Sequence, residues 1–303
     1  MVFGAILAGL LPSFAMVVLG GLVRRRLSEN AWAGLDRLNF EILFPALVFS
    51  AAASRPIALA DVVRIAPAVW AVLVLGLVVG YAARRFGPER FVDFAGAWQT
   101  AWRFNTALGF VAVATLPSAP LALLSVGVGM AIPMANVFAV TALSRGSGSL
   151  RKTVWKVVTN PFLVGSLSGV LVGLSGVQLP ALVLAPIEML ATAAIPVALI
   201  SVGATMNWGA LARLNMFSGI LVVTKLMVLP LGALLGSLAF GLEPELARML
   251  VVFAALPPAS AAHVLAAGFG ADRELSATLV AQSTLLAALT LPCWIAVATL
   301  ALG

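Results

Sequence analysis

Long apolar runs, separated by short polar or charged connections, extend from one end of the sequence to the other. Hydrophobic residues make up 62% of the chain and charged residues only 10%, whereas soluble domains carry about a quarter charged residues. A bilayer-spanning helix needs roughly 20 consecutive apolar residues. The sequence therefore excludes a water-soluble fold and predicts an all-α integral membrane protein in contact with lipid.

The apolar runs predict ten transmembrane helices. They lie at residues 2–22, 38–53, 62–83, 92–116, 120–143, 157–175, 183–205, 216–240, 247–268 and 275–302. No basic leader or small-residue cleavage site precedes the first run, so we interpret it as a retained span. Ten spans leave room for short loops only, and no sizeable extramembrane domain is expected.

Basic residues are distributed unequally between the two sides of this arrangement. Alternate connections carry thirteen Lys and Arg residues on one side and three on the other, while Arg103 and Lys225 lie inside spans. Because Lys and Arg are retained on the cytoplasmic side, both termini are predicted to lie outside the cytoplasm. The same asymmetry explains most of the net charge of +7 without a nucleic acid partner.

The longest polar connection, residues 144–156, is basic and rich in Gly and Ser, and it divides the chain into residues 1–143 and 157–303. Each half has five predicted spans, an odd number, so the halves have opposite orientations in the membrane. The segment from Pro45 to Ser50 (PALVFS) also resembles that from Pro196 to Ser201 (PVALIS). This pattern predicts inverted repeats, an arrangement found in many secondary transporters.

Spans four and nine, which occupy equivalent places in the two halves, are both interrupted. Span four contains a polar cluster with Arg103 and Asn105, and span nine contains the tandem prolines Pro257 and Pro258. Tandem proline removes two backbone donors, and backbone freed in this way survives in a membrane only inside protein or beside water. The interruptions predict a polar site near the bilayer midplane that binds a small polar or anionic solute.

Arg103 is the main candidate for contact with an anion, because a charge inside the membrane is costly and is usually tied to function. Its guanidinium either binds a carboxylate of the solute through paired hydrogen bonds or has a structural role, in which it satisfies freed carbonyls or pairs with an acid. Asn105, Thr106 and Ser260 either line the site or join helices. Phe104, Pro257 and Pro258 are expected to shape the crossover, the place where the two interrupted spans cross.

Two further residues have open roles. His263 is suited by its ordinary pKa to proton coupling, or it is a structural residue in an apolar helix. Lys225, near mid-depth in span eight, is expected to support the site by neutralising half-helix dipoles or pairing with an acid. A single Cys and a single His leave little basis for a metal site, and no metal or cofactor is expected.

Several motifs resemble the bacterial branch of the auxin efflux carrier family, and their ordered combination covers nearly the whole chain. They are Leu38-Asn-Phe40 with Leu43-Phe-Pro45-Ala-Leu47, Arg103-Phe-Asn-Thr106, Pro133-Met-Ala-Asn136, Asn160-Pro161, Ile195-Pro-Val-Ala-Leu199, Lys225-Leu-Met-Val-Leu-Pro230 and Thr290-Leu-Pro292.

This resemblance implies a bacterial inner-membrane transporter with two inverted five-helix repeats, in which broken helices four and nine cross. It implies a small organic anion as substrate, either an auxin-like monocarboxylate or a dicarboxylate such as malate or malonate. Substrate identity, transport direction, the coupling ion and a homodimeric state stay open.

Two other classes of function, an enzyme and a sensor, compete with transport. Ser260 and His263 are three residues apart and could mimic a hydrolase pair, but no protease motif surrounds them and no Walker phosphate loop is present. The protein is therefore not expected to be an enzyme. The alternative to a transporter is a membrane sensor that binds a small organic anion without moving it.

Overall fold

The computed structural model describes residues 2–53, 59–144, 159, 161–259 and 262–302. Within these residues the secondary structure consists of helices, turns and irregular segments without a strand, which confirms the all-α class. The described part of the chain forms fourteen α-helices: α1 (Val2–Val23), α2 (Glu29–Leu38), α3 (Phe44–Ala53), α4 (Leu59–Gly80), α5 (Phe91–Trp98), α6 (Thr106–Ala114), α7 (Leu121–Ser144), α8 (Pro161–Ser175), α9 (Ala181–Thr205), α10 (Met216–Val223), α11 (Leu229–Ala239), α12 (Pro244–Ala255), α13 (Ala262–Gly268) and α14 (Arg273–Ala301).

Among the described residues, six helical segments are long and apolar enough to cross a membrane. They are Ile6–Arg26, Val62–Phe86, Leu121–Ser144, Ala181–Thr205, Met216–Ala239 and Arg273–Ala301. The other four predicted spans differ in form. The run at 38–53 is a π turn followed by α3, the run at 157–175 is described mainly as α8, and those at 92–116 and 247–268 are each divided into two helices.

Two π-helical turns interrupt otherwise continuous helices. Asn39–Leu43 joins α2 to α3, and Thr224–Val228 joins α10 to α11. Such turns are rare and often occur at functional sites, because they change the direction of the side chains that they carry. Asn39 and Lys225 both lie in these turns and both have buried side chains.

The helices form two groups that meet along a seam. The flanking group consists of α1, α2, α3, α8 and α9, in which α1 packs on α9 and α3 packs on α8. Gly20 and Gly203 permit the first of these contacts, because a Cβ on either would overlap a backbone carbonyl of the facing helix. The central group, α4 to α7 with α10 to α14, contains both broken segments, and its α6 and α7 face α9 and α3 across the seam.

Candidate functional site

The first break separates α5 from α6. After α5 ends at Trp98, one 3-10 turn (Gln99–Ala101) leads into an irregular segment that ends at Asn105. The Asn105 backbone is extended, and its Oδ1 accepts a hydrogen bond from the Leu108 N–H at 3.2 Å. Asn105 is therefore the N-cap of α6, and its side chain satisfies one of the free donors at the start of that helix.

The second break follows directly from the tandem prolines Pro257–Pro258. Proline has no N–H, so the carbonyls of Phe253 and Ala254, four residues earlier, lose their α-helical donors. Two other groups replace these donors: the Leu256 N–H lies 3.3 Å from the Phe253 oxygen, and the Lys225 Nζ donates to the Ala254 oxygen at 3.2 Å. Lys225 thereby acts on the end of α12, which carries the negative pole of the helix dipole.

The two breaks meet each other. The Asn105 N–H donates a hydrogen bond to the Pro257 carbonyl at 2.8 Å. The Gln99 Nε2 donates to the Ala262 carbonyl, at the start of α13, at 3.0 Å. The Asn105 N–H and the Pro257 carbonyl, two backbone groups at the breaks, are thus paired with each other, and the Gln99 side chain adds a second link between the breaks.

A cavity of about 140 Å³ lies beside this contact, on the seam between the two helix groups. Its lining residues come from the first break, from α7 and from the flanking helices, with one contribution from the second break: Asp36, Asn39, Phe40, Phe44, Arg103, Phe104, Asn105, Thr106, Ala107, Ile132, Ala135, Asn136, Ala198, Val202 and Ala259. The polar members of this set converge from both sides of the seam.

Arg103 supplies the positive charge of the cavity. It is half-buried, its Nη2 donates to the Oδ1 of Asn136 on α7 at 2.9 Å, and its backbone N–H donates to the Gln99 carbonyl at 3.1 Å. The Nε of Arg103 is buried and has no hydrogen-bond partner among the described residues. The guanidinium is therefore held in position while retaining a donor that a carboxylate could accept.

The flanking group forms the opposite wall. Asn39 is 3% exposed, and its Nδ2 donates to the Ala194 carbonyl of α9 at 3.1 Å. Asp36, one turn earlier on α2, accepts a hydrogen bond from the Ser201 hydroxyl of α9 and is exposed at one end of the cavity. Both contacts fix α2 and its π turn against α9.

The structure brings some of the predicted site residues together at this cavity. Arg103, Asn105 and Thr106 line it, and so does Phe104, whose ring packs against that of Phe253 with centroids 4.6 Å apart. This aromatic contact links the first break to the end of α12, next to the second break.

The remaining predicted residues take other positions. Pro257 and Pro258 are buried at the second break, and Lys225 lies beside the end of α12 rather than in the cavity wall. His263 lies on α13 and is not among the residues that line the cavity. Ser260 lies outside the described residues, as do the linker residues 145–156.

Asp36, Asn39 and Asn136 line the cavity but were not predicted as site residues. Asn39 and Asn136 belong to motifs that carried the family resemblance, so their presence in those motifs was the available signal. Asp36 lies before the second apolar run, in a segment whose sequence is typical of a solvent-exposed helix face. Only the packing of α2 on α9 brings it to the cavity.

A second, larger cavity of about 750 Å³ lies along the same seam. Its wall is mostly apolar: Ile6, Gly9, Leu47, Phe110, Val111, Ala114, Thr115, Leu116, Pro117, Leu121, Ile195 and Thr299. Three helices line both cavities at positions three residues apart: Phe44 and Leu47 on α3, Ala107 and Phe110 on α6, and Ala198 and Ile195 on α9. Along these three helices the two cavities are therefore lined at positions about one helical turn apart, or roughly 5 Å.

Comparison with known proteins agrees with this picture. Residues 145–295 match a family model described as "Membrane transport protein". Over 307 aligned residues the chain is 26% identical to a protein of Rhizobium meliloti (strain 1021) named "Putative malonate transporter", and the match covers 92% of each chain.

A helical fold with two interrupted segments around a polar cavity, together with these matches, defines a membrane transport protein rather than an enzyme. These matches support the resemblance to the auxin efflux carrier family that the ordered motifs carry.

Proposed function

We propose that the protein is a secondary transporter that moves a small organic anion across the bacterial cytoplasmic membrane by alternating access. The observation that carries the proposal is the Arg103 guanidinium, which is held by Asn136 in a polar cavity where two broken helices meet. A cavity of about 140 Å³ suits a substrate with few carbon atoms better than a large amphipathic anion. A short dicarboxylate of the malonate type is the favoured substrate, and an auxin-like monocarboxylate is the alternative.

The proposed architecture is ten spans in two inverted repeats, residues 1–143 and 157–303. Each break then supplies one discontinuous span, and α2–α3 and α8 supply the two spans that are not single long helices. The helix pairing supports this proposal, because α1 packs on α9 while α8 packs on α3. In inverted repeats, span one (α1) corresponds to span six (α8), and span two (α2–α3) corresponds to span seven (α9). Replacing each helix of the α1–α9 pair by its counterpart therefore gives the α8–α3 pair.

The position of the cavities supports alternating access. Both lie on the seam between the flanking and central groups, and three helices line both cavities at positions about one helical turn apart. Each group contains helices from both halves of the chain, so we propose that the groups, rather than the halves, move against each other. A small displacement along the seam would connect the polar cavity to one face of the membrane or to the other.

The proposed topology places both termini outside the cytoplasm. In that orientation Asp36 and the exposed Arg24, Arg25 and Arg26 lie toward the cytoplasm, as the distribution of Lys and Arg favours. The polar cavity would then lie on the cytoplasmic side of the seam and the apolar cavity on the opposite side.

Counterflow of labelled malonate in proteoliposomes tests the proposal. Arg103→Gln removes a charge-assisted contact and should lower uptake at least about tenfold, because such hydrogen bonds contribute about 1.5–3 kcal/mol. Arg213→Gln is the matched control, since Arg213 pairs with Glu274 at an exposed position away from the cavity. Unchanged uptake by the Arg103 variant would contradict the proposed site, and binding without counterflow in the unmodified protein would favour a sensor.

A further inference from the structure

Two polar atoms at the cavity lack hydrogen-bond partners among the described residues. One is the Arg103 Nε, a donor, and the other is the Asn39 Oδ1, an acceptor. Both atoms are buried, and both belong to residues that line the 140 Å³ cavity from opposite sides of the seam. A buried donor and a buried acceptor each carry a free-energy cost when unpaired, so a ligand that satisfies both would be favoured.

Neighbouring groups fix the orientation of these side chains. The Asn39 Nδ2 donates to the Ala194 carbonyl, so a reversed amide would place two oxygens against each other. The Oδ1 of Asn136 accepts from the Arg103 Nη2, which leaves the Nε of the same guanidinium for another acceptor. The cavity therefore offers a cationic donor on one wall and a neutral acceptor on the other.

The charges at the cavity restrict what can bind there. Arg103 is the basic residue and Asp36 the acidic residue among those that line it. A substrate with two negative charges would leave one charge uncompensated beside the Asp36 carboxylate, and like charges at close range repel each other. A substrate with one negative charge and a hydrogen-bond donor at its other end would satisfy Arg103 and Asn39 without that cost.

We infer that the cavity binds its substrate as a monoanion, with an ionised carboxylate on the Arg103 Nε and a protonated carboxyl on the Asn39 Oδ1. For malonate this is the hydrogen malonate form, in which one carboxyl keeps its proton. The inference rests on the proposed function and deepens it, since each bound substrate then carries one proton. Proton movement with the substrate requires no titrating side chain.

The elements packed around the cavity contribute polar or ionisable groups to its lining or to the contacts of the lining residues. Asp36 on α2 and Arg103 on the first break are the ionisable ones, while α7 contributes Asn136 and α9 contributes the Ser201 hydroxyl beside Asp36. Arg37 on α2 is paired with Glu41 at 2.8 Å at an exposed position. Asp36 is thus the side chain whose titration must be separated from that of the ligand.

Binding of three probes to the purified full-length protein, measured by calorimetry across a pH series, tests the inference. Malonate loses its second proton within the series. Its monoamide, malonamate, keeps one negative charge and an amide donor, and monomethyl malonate keeps one negative charge without a donor. The Kd for malonate should rise about tenfold per pH unit above its second pKa, whereas the Kd for malonamate should stay constant.

The proposed hydrogen bond from the ligand to the Asn39 Oδ1 is tested separately, by comparing the affinities of the two monoanions. Malonamate should bind roughly five- to tenfold more tightly than monomethyl malonate, because only the amide can donate to the Asn39 Oδ1. In Asn39→Leu this difference should disappear while both monoanions still bind. The comparison of probes on the unmodified protein stands even where the variant does not fold.

Each other result has a definite meaning. A malonate Kd that is independent of pH would show binding of the dianion and would overturn the inference while leaving the proposed function intact. An equal pH dependence for malonate and malonamate would assign the titration to the protein, with Asp36→Asn expected to abolish it, and would also overturn the inference. If none of the probes binds at any pH, the proposed function itself fails.

Discussion

The two breaks satisfy their backbone groups in different ways. At the first break, side chains within the interrupted segment act on the end of α5: Gln99 Nε2 donates to the Gly96 carbonyl at 3.0 Å and Thr100 Oγ1 to the Ala97 carbonyl at 2.7 Å. At the second break, a neighbouring helix supplies the donor, since Lys225 donates to the Ala254 carbonyl at 3.2 Å.

This difference follows from what ends each helix. Short polar side chains can end a helix and pair with its last carbonyls at the same time. Proline ends a helix by removing donors and brings none in return. The second break therefore depends on a donor from a neighbouring helix. The first break needs no such donor, so the helix beside it can approach closely.

The largest loss of stability is expected from a substitution that blocks the close approach of α4 to the first break. Gly76 on α4 faces the Ala101 carbonyl, and a Cβ there would lie 2.6 Å from the carbonyl oxygen. We expect Gly76→Ala to destabilise the fold by about 1–3 kcal/mol or more, because the obstructing atom belongs to the backbone and cannot rotate away. Thermal unfolding of the purified protein measures this loss.

Gly236→Ala is the control for that variant. Gly236 lies inside α11, and an added Cβ would meet no atom within 4 Å. Alanine there should leave stability unchanged or raise it by up to about 1 kcal/mol, through its higher helix propensity. Equal unfolding temperatures for the two variants would show that the first break does not require close approach by α4.

The next largest loss of stability is expected from replacing Lys225, the neighbouring residue on which the second break depends. Lys225→Met keeps most of the side-chain volume but leaves the Ala254 carbonyl without this donor. The expected loss of stability is about 1–3 kcal/mol, the cost of an unpaired buried polar group. Lys225→Gln retains a donor and should lose less.

Burial of Lys225 opposes this stabilisation, because the residue is only 2% exposed and removing its side chain from water is costly. An unfolding temperature of Lys225→Met at or above that of the unmodified protein would mean that this cost outweighs the hydrogen bond. The second break would then not need its neighbour, and the contrast between the two breaks would fail.

The two breaks also show what a sequence of this kind can reveal. Tandem proline and a charged residue in an apolar run mark interruptions directly, because hydrocarbon cannot satisfy the backbone that they free. Both predicted interruptions are present in the structure, between α5 and α6 and between α12 and α13. The helical class follows from the same constraint.

Other features required the packed structure. The π turn at Asn39–Leu43 has no sequence signature, yet it places the Asn39 side chain in the cavity. The hydrogen bond between Asp36 and Ser201 joins residues 165 positions apart in the chain, so periodicity within either helix gives no sign of it. The predicted second span, 38–53, begins at this π turn, and an amphipathic α2 precedes it.

The smallest expected effect concerns the cap at the end of the first break. Asn105→Ala removes the acceptor for the Leu108 N–H and should cost about 1 kcal/mol of stability, a typical value for loss of an N-cap. The backbone hydrogen bond from the Asn105 N–H to the Pro257 carbonyl does not use the side chain, so the contact between the breaks should persist. Asn105→Ser restores a capping oxygen and should recover most of the loss. Equal unfolding temperatures for the Ala and Ser variants would indicate that the Asn105 amide does not act as a helix cap. If both variants also lost counterflow, the amide would instead have a role in substrate binding.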